Sequence, residues 1–339
     1  MKRLLFLLLF LSACQTSPDK ETVKQPEDSL SAAALKDEAK AAVVSQSTPV
    51  DSATAPGDSA EDWPDSWPQE EWQEPAPPSY TSREVVKTAK WQKVCKGMEY
   101  ALLPAPLKCS IGDSQIDVLR IDPMAVNIRL KSARFEDGQK QTADAWGRDH
   151  QLLALINAGM FNLSNGMTCT GMMRDYEQVN NPTLNGSYNL VAAFNPKDSS
   201  DPAFRFIDLR CEDWDMWKDR YHSYVQGIRI VDCNRKNRWS KQEKFWSMVL
   251  LGRDSKGRTL FIFSRSPYRV HDLANMLLDL PIDLQQLMYL EGGPESSFWL
   301  STPSLSVTKM GSYETDFMLS DDNDDFWGIP NIIAVSQKP

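Results

Sequence analysis

Histidine and closely spaced cysteine are scarce in this chain of 339 residues. It contains three histidines (His150, His222 and His271) and six cysteines, with no CxxC pair and no mixed Cys/His spacing. A structural zinc site needs four such ligands at short intervals, so the sequence predicts no such site. Basic charge is scarce as well, since 37 Lys and Arg stand against 46 Asp and Glu and no basic cluster is interleaved with aromatics. A nucleic-acid partner is therefore not expected.

Apolar runs long enough to cross a bilayer are also lacking. The stretch Leu4–Leu11 is too short for a mature membrane helix and follows two basic residues. The next residues, Leu11-Ser12-Ala13-Cys14, resemble a bacterial lipobox, so residues 1–14 are predicted to be a lipoprotein signal with an acylated, palmitate-carrying Cys14. The residue after the cysteine is Gln15 rather than Asp, which by resemblance to enterobacterial lipoproteins indicates the outer membrane. We expect a lipid-anchored protein of the bacterial cell envelope, attached to the outer membrane and facing the periplasm or the exterior.

Residues 15–90 have few large aliphatic residues. Ala, Ser, Pro, Asp and Glu dominate, and seven Lys and Arg stand against fifteen Asp and Glu, so most of the net charge of −9 belongs to this segment. Such a composition cannot bury enough apolar surface to offset the cost of ordering, and it predicts a flexible acidic linker. Trp63, Trp67 and Trp72 are candidates for docking on a partner or a sugar. A spacer without such a role is the alternative.

Residues 91–339 are long enough for one large domain with a substantial core. Apolar runs and period-two alternation predict strands. The predicted strands cover residues 116–121, 125–130, 152–157, 189–194, 224–231, 247–251, 259–263, 287–290 and 332–335. Helices are predicted only from Thr142 to His150 and from Val270 to Leu280. The fold class is therefore α+β, a single large domain with a mixed or antiparallel sheet core and few helices.

Five cysteines remain for an oxidising compartment once Cys14 is acylated. We expect Cys95 to pair with Cys109 across a Leu-Leu-Pro-Ala-Pro turn region, and Cys211 to pair with Cys233 around an aromatic-rich insertion. Cys169 is left over and is predicted to be a buried or free thiol, with a nucleophilic role as the alternative.

The turn after residue 290 is crowded with ionisable and hydroxyl groups. The apolar run 287–290 stops at a glycine pair that is flanked by Glu291, Glu295, Ser296 and Ser297. Glycines permit positive φ and close backbone approach, so the turn can present both carboxylates around one concave point. Glu291 and Glu295 are therefore the candidate catalytic residues. A solvated hairpin turn is the alternative.

Several motifs carry a resemblance to a known family. They are Ile121-Asp122-Pro123, the Asn-Ala-Gly segment 156–162, Gln226-Gly227, Ser264 before the second helix, and the turn 291–297. In this order they resemble the phosphodiester glycosidase family, over residues 116–335. The resemblance implies a glycosidase-type fold, a carbohydrate or sugar-phosphate substrate, and a cleft near Asn157, Gln226, Ser264 and the Glu291 turn.

Two features depart from the family pattern. Many members have Leu-Asp-Gly-Gly-Gly-Ser where this chain has Leu290-Glu291-Gly292-Gly293-Pro294-Glu295-Ser296. The first carboxylate is thus one methylene longer, and Glu295 adds a second one. An arginine that is usual before a following strand has no counterpart in residues 244–247.

The chemistry expected of this class needs two carboxylates and a place for phosphate. In glycosyl transfer to water one carboxylate acts at the leaving oxygen and one at the anomeric carbon. The segment 263–269 lies between a strand and a helix, where free amides and the helix dipole favour an anion. Ser264, Arg265 and Ser266 are candidate substrate contacts there, and Arg269 is a further candidate cation. A solvated loop is the alternative for both arginines.

Four other polar side chains are candidate substrate contacts. Asn157 and Gln226 can bind sugar hydroxyls, with fixing the turn and a sheet-buried amide as their respective alternatives. His271 can carry a proton or act as a capping residue, and Ser296 offers a hydroxyl within the turn. No cofactor is predicted. The acidic run 321–325 is a candidate Ca²⁺ or Mg²⁺ site, but without an EF-hand pattern a solvated loop is the alternative.

Two functional hypotheses follow. The first is an anchored envelope hydrolase that cleaves glycosyl phosphodiester or related glycan bonds. The second is a non-catalytic glycan-binding or envelope-assembly lipoprotein with the same fold.

Overall fold

The structure is a computed structural model that describes residues 75–338. The predicted signal peptide, Cys14 and most of the predicted linker lie outside the described residues. Within residues 75–338 no helix has both the length and the apolar character needed to cross a membrane.

A large antiparallel sheet forms the centre of the domain. It has eleven strands, with β8 and β9 attached beside β12, in the order β11-β10-β12-β15-β13-β14-β5-β3-β2. The strands are β2 (Gln92–Cys95), β3 (Met98–Pro104), β5 (Gln115–Ile121), β8 (Met173–Asp175), β9 (Gln178–Asn181), β10 (Leu190–Pro196), β11 (Phe204–Asp208), β12 (Tyr221–Val231), β13 (Trp246–Asp254), β14 (Thr259–Tyr268) and β15 (Leu284–Gly292). The central strands are apolar on both faces because both faces of the sheet are covered.

A smaller antiparallel sheet packs on one face of the large one. Its order is β17-β16-β7-β18-β6. Its strands are β6 (Val126–Ser132), β7 (Ala154–Asn157), β16 (Ser297–Thr302), β17 (Leu305–Met310) and β18 (Asn331–Gln337). Leu290, Val249 and Phe263 of the large sheet meet Ile156 and Phe298 of the small sheet in one continuous core. We call this face of the large sheet its inner face.

Two α-helices within residues 75–338 cover the outer surfaces of this sandwich. Helix α1 (Ala143–Asp149) buries Trp146 against the outside of the small sheet, next to Trp299. Helix α2 (Val270–Asp279) packs its apolar stripe, including Leu273 and Leu277, on the outer face of the large sheet. The layers are therefore helix, large sheet, small sheet and helix.

The predicted fold class is confirmed, with every sheet pairing that involves the site being antiparallel. All nine predicted strands and both helices are present, the first helix with Thr142 at its N-cap and His150 at its C-cap. Sequence analysis missed the hairpin β16–β17 that follows the Glu291 turn. Exposed and half-buried residues alternate along β17, so its apolar signal is weak.

The described residues include the end of the segment that composition predicted to be linker. Strand β1 (Tyr80–Ser82) pairs with β4 (Leu107–Cys109) in a two-stranded sheet. The Tyr80 hydroxyl donates to the Pro267 carbonyl at 3.0 Å, and its ring stacks on Tyr268. Val85 and Val86 also pack on the outer core. Several apolar residues of 75–90 are thus partly buried against the domain, which composition over a longer window does not reveal.

One of the two predicted disulfides is present. Cys211 and Cys233 are bonded, whereas Cys95, Cys109 and Cys169 are free thiols. The prediction of a Cys95–Cys109 bond was wrong, because Cys109 belongs to the core on the outer face of the large sheet and Cys95 packs against the inner core. The sheet itself separates the two sulfurs.

Candidate active site

Glu291 owes its direction to an irregularity in β15. Along the β13–β15 pair, Leu250 faces Tyr289 and Val249 faces Glu291, so Leu290 is an extra residue in the ladder. Such a bulge places two successive side chains on the same face and re-aims the rest of the strand. Leu290 and Val249 both lie in the inner core, and Glu291 therefore points to the inner face, where it is 3% exposed. The Gly292 N–H donates to Glu291 Oε1 at 3.1 Å and orients the carboxylate.

The turn after Glu291 is the corner that joins the two sheets. β15 ends at Gly292 in the large sheet, a 3₁₀ turn covers Gly293–Glu295, and β16 begins at Ser297 in the small sheet. Gly293 has φ of +71°, and a Cβ at this position would collide with the Glu314 carboxylate. Both the backbone conformation and the space therefore require glycine here. The two glutamates consequently sit where the sheets diverge.

Asn157 holds this corner from the end of β7. Its Nδ2 donates to the Glu295 carbonyl at 3.0 Å, and its Oδ1 accepts from the Ser297 N–H at 2.8 Å. Asn157 is 2% exposed. The structure thus brings Asn157 to the Glu291 turn, as an anchor of the turn's backbone rather than as a side chain open to a sugar hydroxyl.

Gln226 lies on β12 and secures the loops beside the corner. Its Oε1 accepts from the Met172 and Asn185 N–H groups, and its Nε2 donates to the Asn185 and Tyr188 carbonyls, at 2.8–3.1 Å. An amide side chain has two donors and two principal acceptor sites, and all are occupied. The geometry therefore favours the buried-amide alternative over a hydroxyl-binding role.

Segment 264–266 is engaged internally in the same way. The Ser264 hydroxyl donates to the Ser266 carbonyl, and the Ser266 hydroxyl accepts from the Ser114 N–H at 2.7 Å. Arg265 binds Asp321 Oδ1 at 2.8 Å and donates to the carbonyls of Met310, Asp321 and Asn323. Arg265 thus fixes the segment 310–323 instead of presenting a free guanidinium to phosphate.

That segment in turn packs on the corner. The Gly311 N–H donates to the Ser296 carbonyl at 2.8 Å, and the Gly311 backbone lies too close to the Gly293 carbonyl to leave room for a Cβ. Arg265 therefore affects the site indirectly, because it holds the backbone of segment 310–323, which contacts the corner.

His271 lies away from the corner. It is in the first turn of α2, which packs on the outer face of the large sheet, while Glu291 faces inward. Its Nδ1 lies 3.2 Å from Asp272 Oδ1 and 3.4 Å from Asn275 Nδ2. This placement favours a role within the helix over proton transfer at the glutamates.

A residue that sequence analysis did not single out completes the site. The Lys140 ammonium lies 4.1 Å from the centre of the Phe161 ring, within the Asn-Ala-Gly segment's loop. Burial lowers the pKa of Lys140, and the nearby carboxylates of Glu295 and Glu291 oppose that shift. Lys140 stands in a polar stretch before α1 and belongs to no motif, so no sequence signal pointed to it.

Cys169 lies beneath the same site. Its Sγ is within 3.8 Å of the Ala158 carbonyl, and Phe161 and Cys169 form an isolated bridge. Burial raises the pKa of the Cys169 thiol to about 12, and the charge of Glu291 contributes in the same direction. Cys169 is thus a buried thiol that stays protonated, which agrees with the alternative of a structural cysteine over a nucleophile.

In the acidic run 321–325, the candidate metal site, Asp321 is engaged within the protein, while Asp322, Asp324 and Asp325 are exposed. Asp321 Oδ1 is taken by Arg265 and by the Ser312 hydroxyl. Within the described part of the chain, one group of three potential metal ligands lies close together, and it consists of Asp208, Cys211 and Cys233. Both of those sulfurs are in the disulfide and cannot act as thiolate ligands.

The solved structures that resemble this chain are distant in sequence. The catalytic domain of zebrafish N-acetylglucosamine-1-phosphodiester alpha-N-acetylglucosaminidase, auto-inhibited by its pro-peptide, superimposes with a TM-score of 0.49 at 10% identity, over 77% of this chain and 88% of that chain. A hypothetical protein from Synechocystis gives 0.46 at 11% identity, over 75% and 64%. An exported protein from Burkholderia pseudomallei gives 0.36 at 10% identity, over 65% and 73%.

No curated protein gives a significant match to the sequence. The profile of the phosphodiester glycosidase family, in contrast, matches residues 150–336, which is more than half of the chain. This range includes the Asn-Ala-Gly segment, Gln226 and the whole Glu291 turn, and so covers the corner between the sheets. The chain belongs to the phosphodiester glycosidase family.

Proposed function

We propose that this protein is an envelope hydrolase that cleaves glycosyl phosphodiester bonds, with Glu291 and Glu295 as its catalytic carboxylates. The observation that carries the proposal is the convergence at one corner of two glutamates, a lysine and the Asn-Ala-Gly segment. Family membership supports the class of reaction, and the geometry supports its location within the chain.

The two glutamates differ in a way that suits two roles. Glu291 is buried and oriented by the Gly292 N–H, whereas Glu295 is half-buried on the 3₁₀ turn. A fixed carboxylate suits the anomeric carbon, where charge develops in an oxocarbenium-like transition state. The more exposed Glu295 suits proton transfer to or from water. Phosphate is a good leaving group, so a strong general acid at the leaving oxygen is not required.

The proposed location rests on the sequence before the described residues. A lipobox that ends at Cys14 supports acylation there, and Gln15 supports sorting to the outer membrane. The acidic linker then places the domain at a distance from the membrane surface. Metabolic labelling with a palmitate analogue tests the anchor, because Cys14→Ser should lose the label and leave the membrane fraction.

The second candidate is a binding protein that keeps the fold without turnover. One observation favours it. Four predicted substrate contacts form hydrogen bonds within the protein, namely Asn157, Gln226, Ser264 and Arg265. A site at which these four polar side chains are bonded within the protein is consistent with a fold that has lost catalysis.

A substrate panel separates the two candidates. Full-length protein purified in detergent is incubated with α- and β-linked glycosyl phosphodiesters of several sugars, and the released sugar and phosphomonoester are quantified. We expect turnover of at least one diester. Saturable binding of the diesters with no product from any of them would leave the binding protein as the better account.

A further inference from the structure

The position of Lys140 is built into the fold. Its ammonium lies over the Phe161 ring face, and a Cβ at Gly166 would come within 3.1 Å of its Cε and 3.4 Å of its Nζ. A Cβ at Gly328 would lie 3.2 Å from its Cβ. Two glycines and an aromatic ring therefore flank this side chain, which is otherwise exposed to solvent. A cation over an aromatic face is attracted by the ring quadrupole, which helps to hold it there.

The loop 161–168, which lies beside Lys140, is held together by its own hydrogen bonds. Asn162 Oδ1 accepts from the Ser164 N–H, and Asn165 Oδ1 accepts from the N–H groups of Met167 and Thr168. The Gly166 N–H donates to the Asn162 carbonyl at 2.8 Å. Because these bonds lie within the loop, the loop keeps its shape independently of the lysine.

The charge of Lys140 remains available. Among residues 75–338 no carboxylate oxygen forms an ion pair with its ammonium within 4.0 Å, although Glu295 and Glu291 act on it electrostatically. Some other lysines of the domain are paired, such as Lys131 with Glu136 at 3.1 Å and Lys309 with Asp113 at 3.1 Å. Lys140 is thus a positioned cation that faces the two glutamates without being neutralised by direct contact.

We propose that Lys140 receives the phosphate of the substrate and makes the site selective for glycosyl phosphodiesters over neutral glycosides. This inference rests on the proposed function of the same site. The anomeric carbon lies at the glutamates in that arrangement, and the phosphorus, two bonds away across the glycosidic oxygen, lies at Lys140. An anionic substrate is otherwise repelled by two carboxylates, and the ammonium offsets that repulsion.

The placement of Lys140 also explains what the chain uses in place of Arg265, whose guanidinium is consumed by Asp321 and three carbonyls. Lys140 precedes residues 150–336, the range that matches the family profile. It is therefore a specificity-determining residue supplied by this chain from outside the matched range.

The test compares Lys140→Met, which keeps an unbranched side chain over Phe161, with Lys140→Arg, which keeps the charge. Lys131→Met is the matched control, since it removes a lysine of β6 whose ammonium is paired with Glu136. Each protein is assayed on a glycosyl phosphodiester and on the aryl glycoside of the same sugar. We expect Lys140→Met to raise KM for the diester on the order of tenfold to hundredfold, with little change on the aryl glycoside. Lys140→Arg should retain most of the preference, and Lys131→Met should behave as wild type.

Two results overturn the inference while leaving the proposed function intact. One is a Lys140→Met enzyme whose kcat/KM for the diester stays within about twofold of wild type. The other is an equal loss on both substrates, which indicates a structural role.

Binding replaces turnover as the readout if wild type cleaves no diester. Calorimetry with glucose 1-phosphate and with glucose then measures the preference directly. Tighter binding of the phosphate ester that disappears in Lys140→Met supports the inference even though the hydrolase proposal has failed. Equal binding of the phosphate ester by both proteins refutes it.

Discussion

Two neighbouring strand ends were predicted to form the site, and they differ in what their polar side chains contact. The Glu291 turn follows β15 and the segment 264–269 ends β14, on either side of β13, where Met248 faces both Gly292 and Ser264. In the turn, two carboxylates converge with Lys140 where the sheets diverge. In the segment, hydroxyls and guanidinium bind backbone carbonyls, an N–H group and Asp321.

Polar composition at a strand end therefore does not by itself indicate a site. A buried polar side chain is usually satisfied by the protein, and what counts is the bonding capacity that remains. Arg265 has three donor atoms committed to four acceptors, while the Lys140 ammonium has no ion pair among the residues described. The two regions should therefore respond to mutation in opposite ways.

The largest expected effect is the loss of turnover in Glu291→Gln. The amide keeps the size of the side chain and an oxygen that can accept from the Gly292 N–H, so the fold is preserved. Loss of the charge at the anomeric carbon should lower kcat by about 10³-fold. Stopped assays of product release on a responsive diester measure this, and thermal unfolding checks the fold.

Glu99→Gln is the control for that experiment. Glu99 lies on β3, remote from the corner, and pairs with Arg120. It should leave turnover at the wild-type level. A Glu291→Gln enzyme that works as fast as wild type removes this carboxylate from the mechanism.

Arg265→Met should show the opposite pattern, with stability lost first. It removes the guanidinium from Asp321, which keeps only the Ser312 hydroxyl, and from the carbonyls of Met310 and Asn323 in a partly buried place. This loss should lower the free energy of unfolding by about 3 kcal/mol. The displaced segment 310–323 should disturb the corner through Gly311 and reduce kcat/KM by about tenfold on charged and neutral substrates alike. Denaturant unfolding and the two substrate classes give both readouts.

Arg269→Met serves as the comparison within the same segment. Arg269 pairs with the exposed Glu243 and stacks on Phe245, so its loss should cost about 1 kcal/mol or less and leave activity unchanged. If Arg265→Met instead impairs only diesters without loss of stability, the segment binds phosphate as the sequence predicted, and the contrast between the two strand ends disappears.

Local periodicity carried most of the fold prediction. The strands β12 to β15 were visible because both of their faces are buried, and α2 was visible because Leu273 and Leu277 repeat at helical spacing. The acidic corner could also be predicted, because its two carboxylates and the glycine pair are adjacent in the sequence and do not depend on strand pairing. These features depend on near neighbours in the chain.

The features that could not be predicted depend on distant neighbours. The extra residue at Leu290, which turns Glu291 inward, is defined only by the pairing with β13. The saturation of Gln226 depends on loops 38 to 54 residues away. Lys140 lies near the corner because it packs on Phe161 and beside Gly166, in a loop that follows β7. The separation of Cys95 from Cys109 results from which face of a sheet each sulfur occupies.

The smallest expected effect compares one serine from each region. The Ser266 hydroxyl accepts from the Ser114 N–H at 2.7 Å, so Ser266→Ala should cost about 1 kcal/mol of unfolding free energy and leave KM unchanged. The Ser296 hydroxyl is buried and has no hydrogen-bond partner within residues 75–338. Removing an unsatisfied buried hydroxyl has almost no energetic cost to the fold, so Ser296→Ala should leave stability within about 0.5 kcal/mol of wild type. If that hydroxyl is kept for the substrate, KM for the diester should rise by about fivefold. Equal losses of stability in the two variants, with no change in KM, would mean that the turn holds its serine for the same structural reason as the segment does.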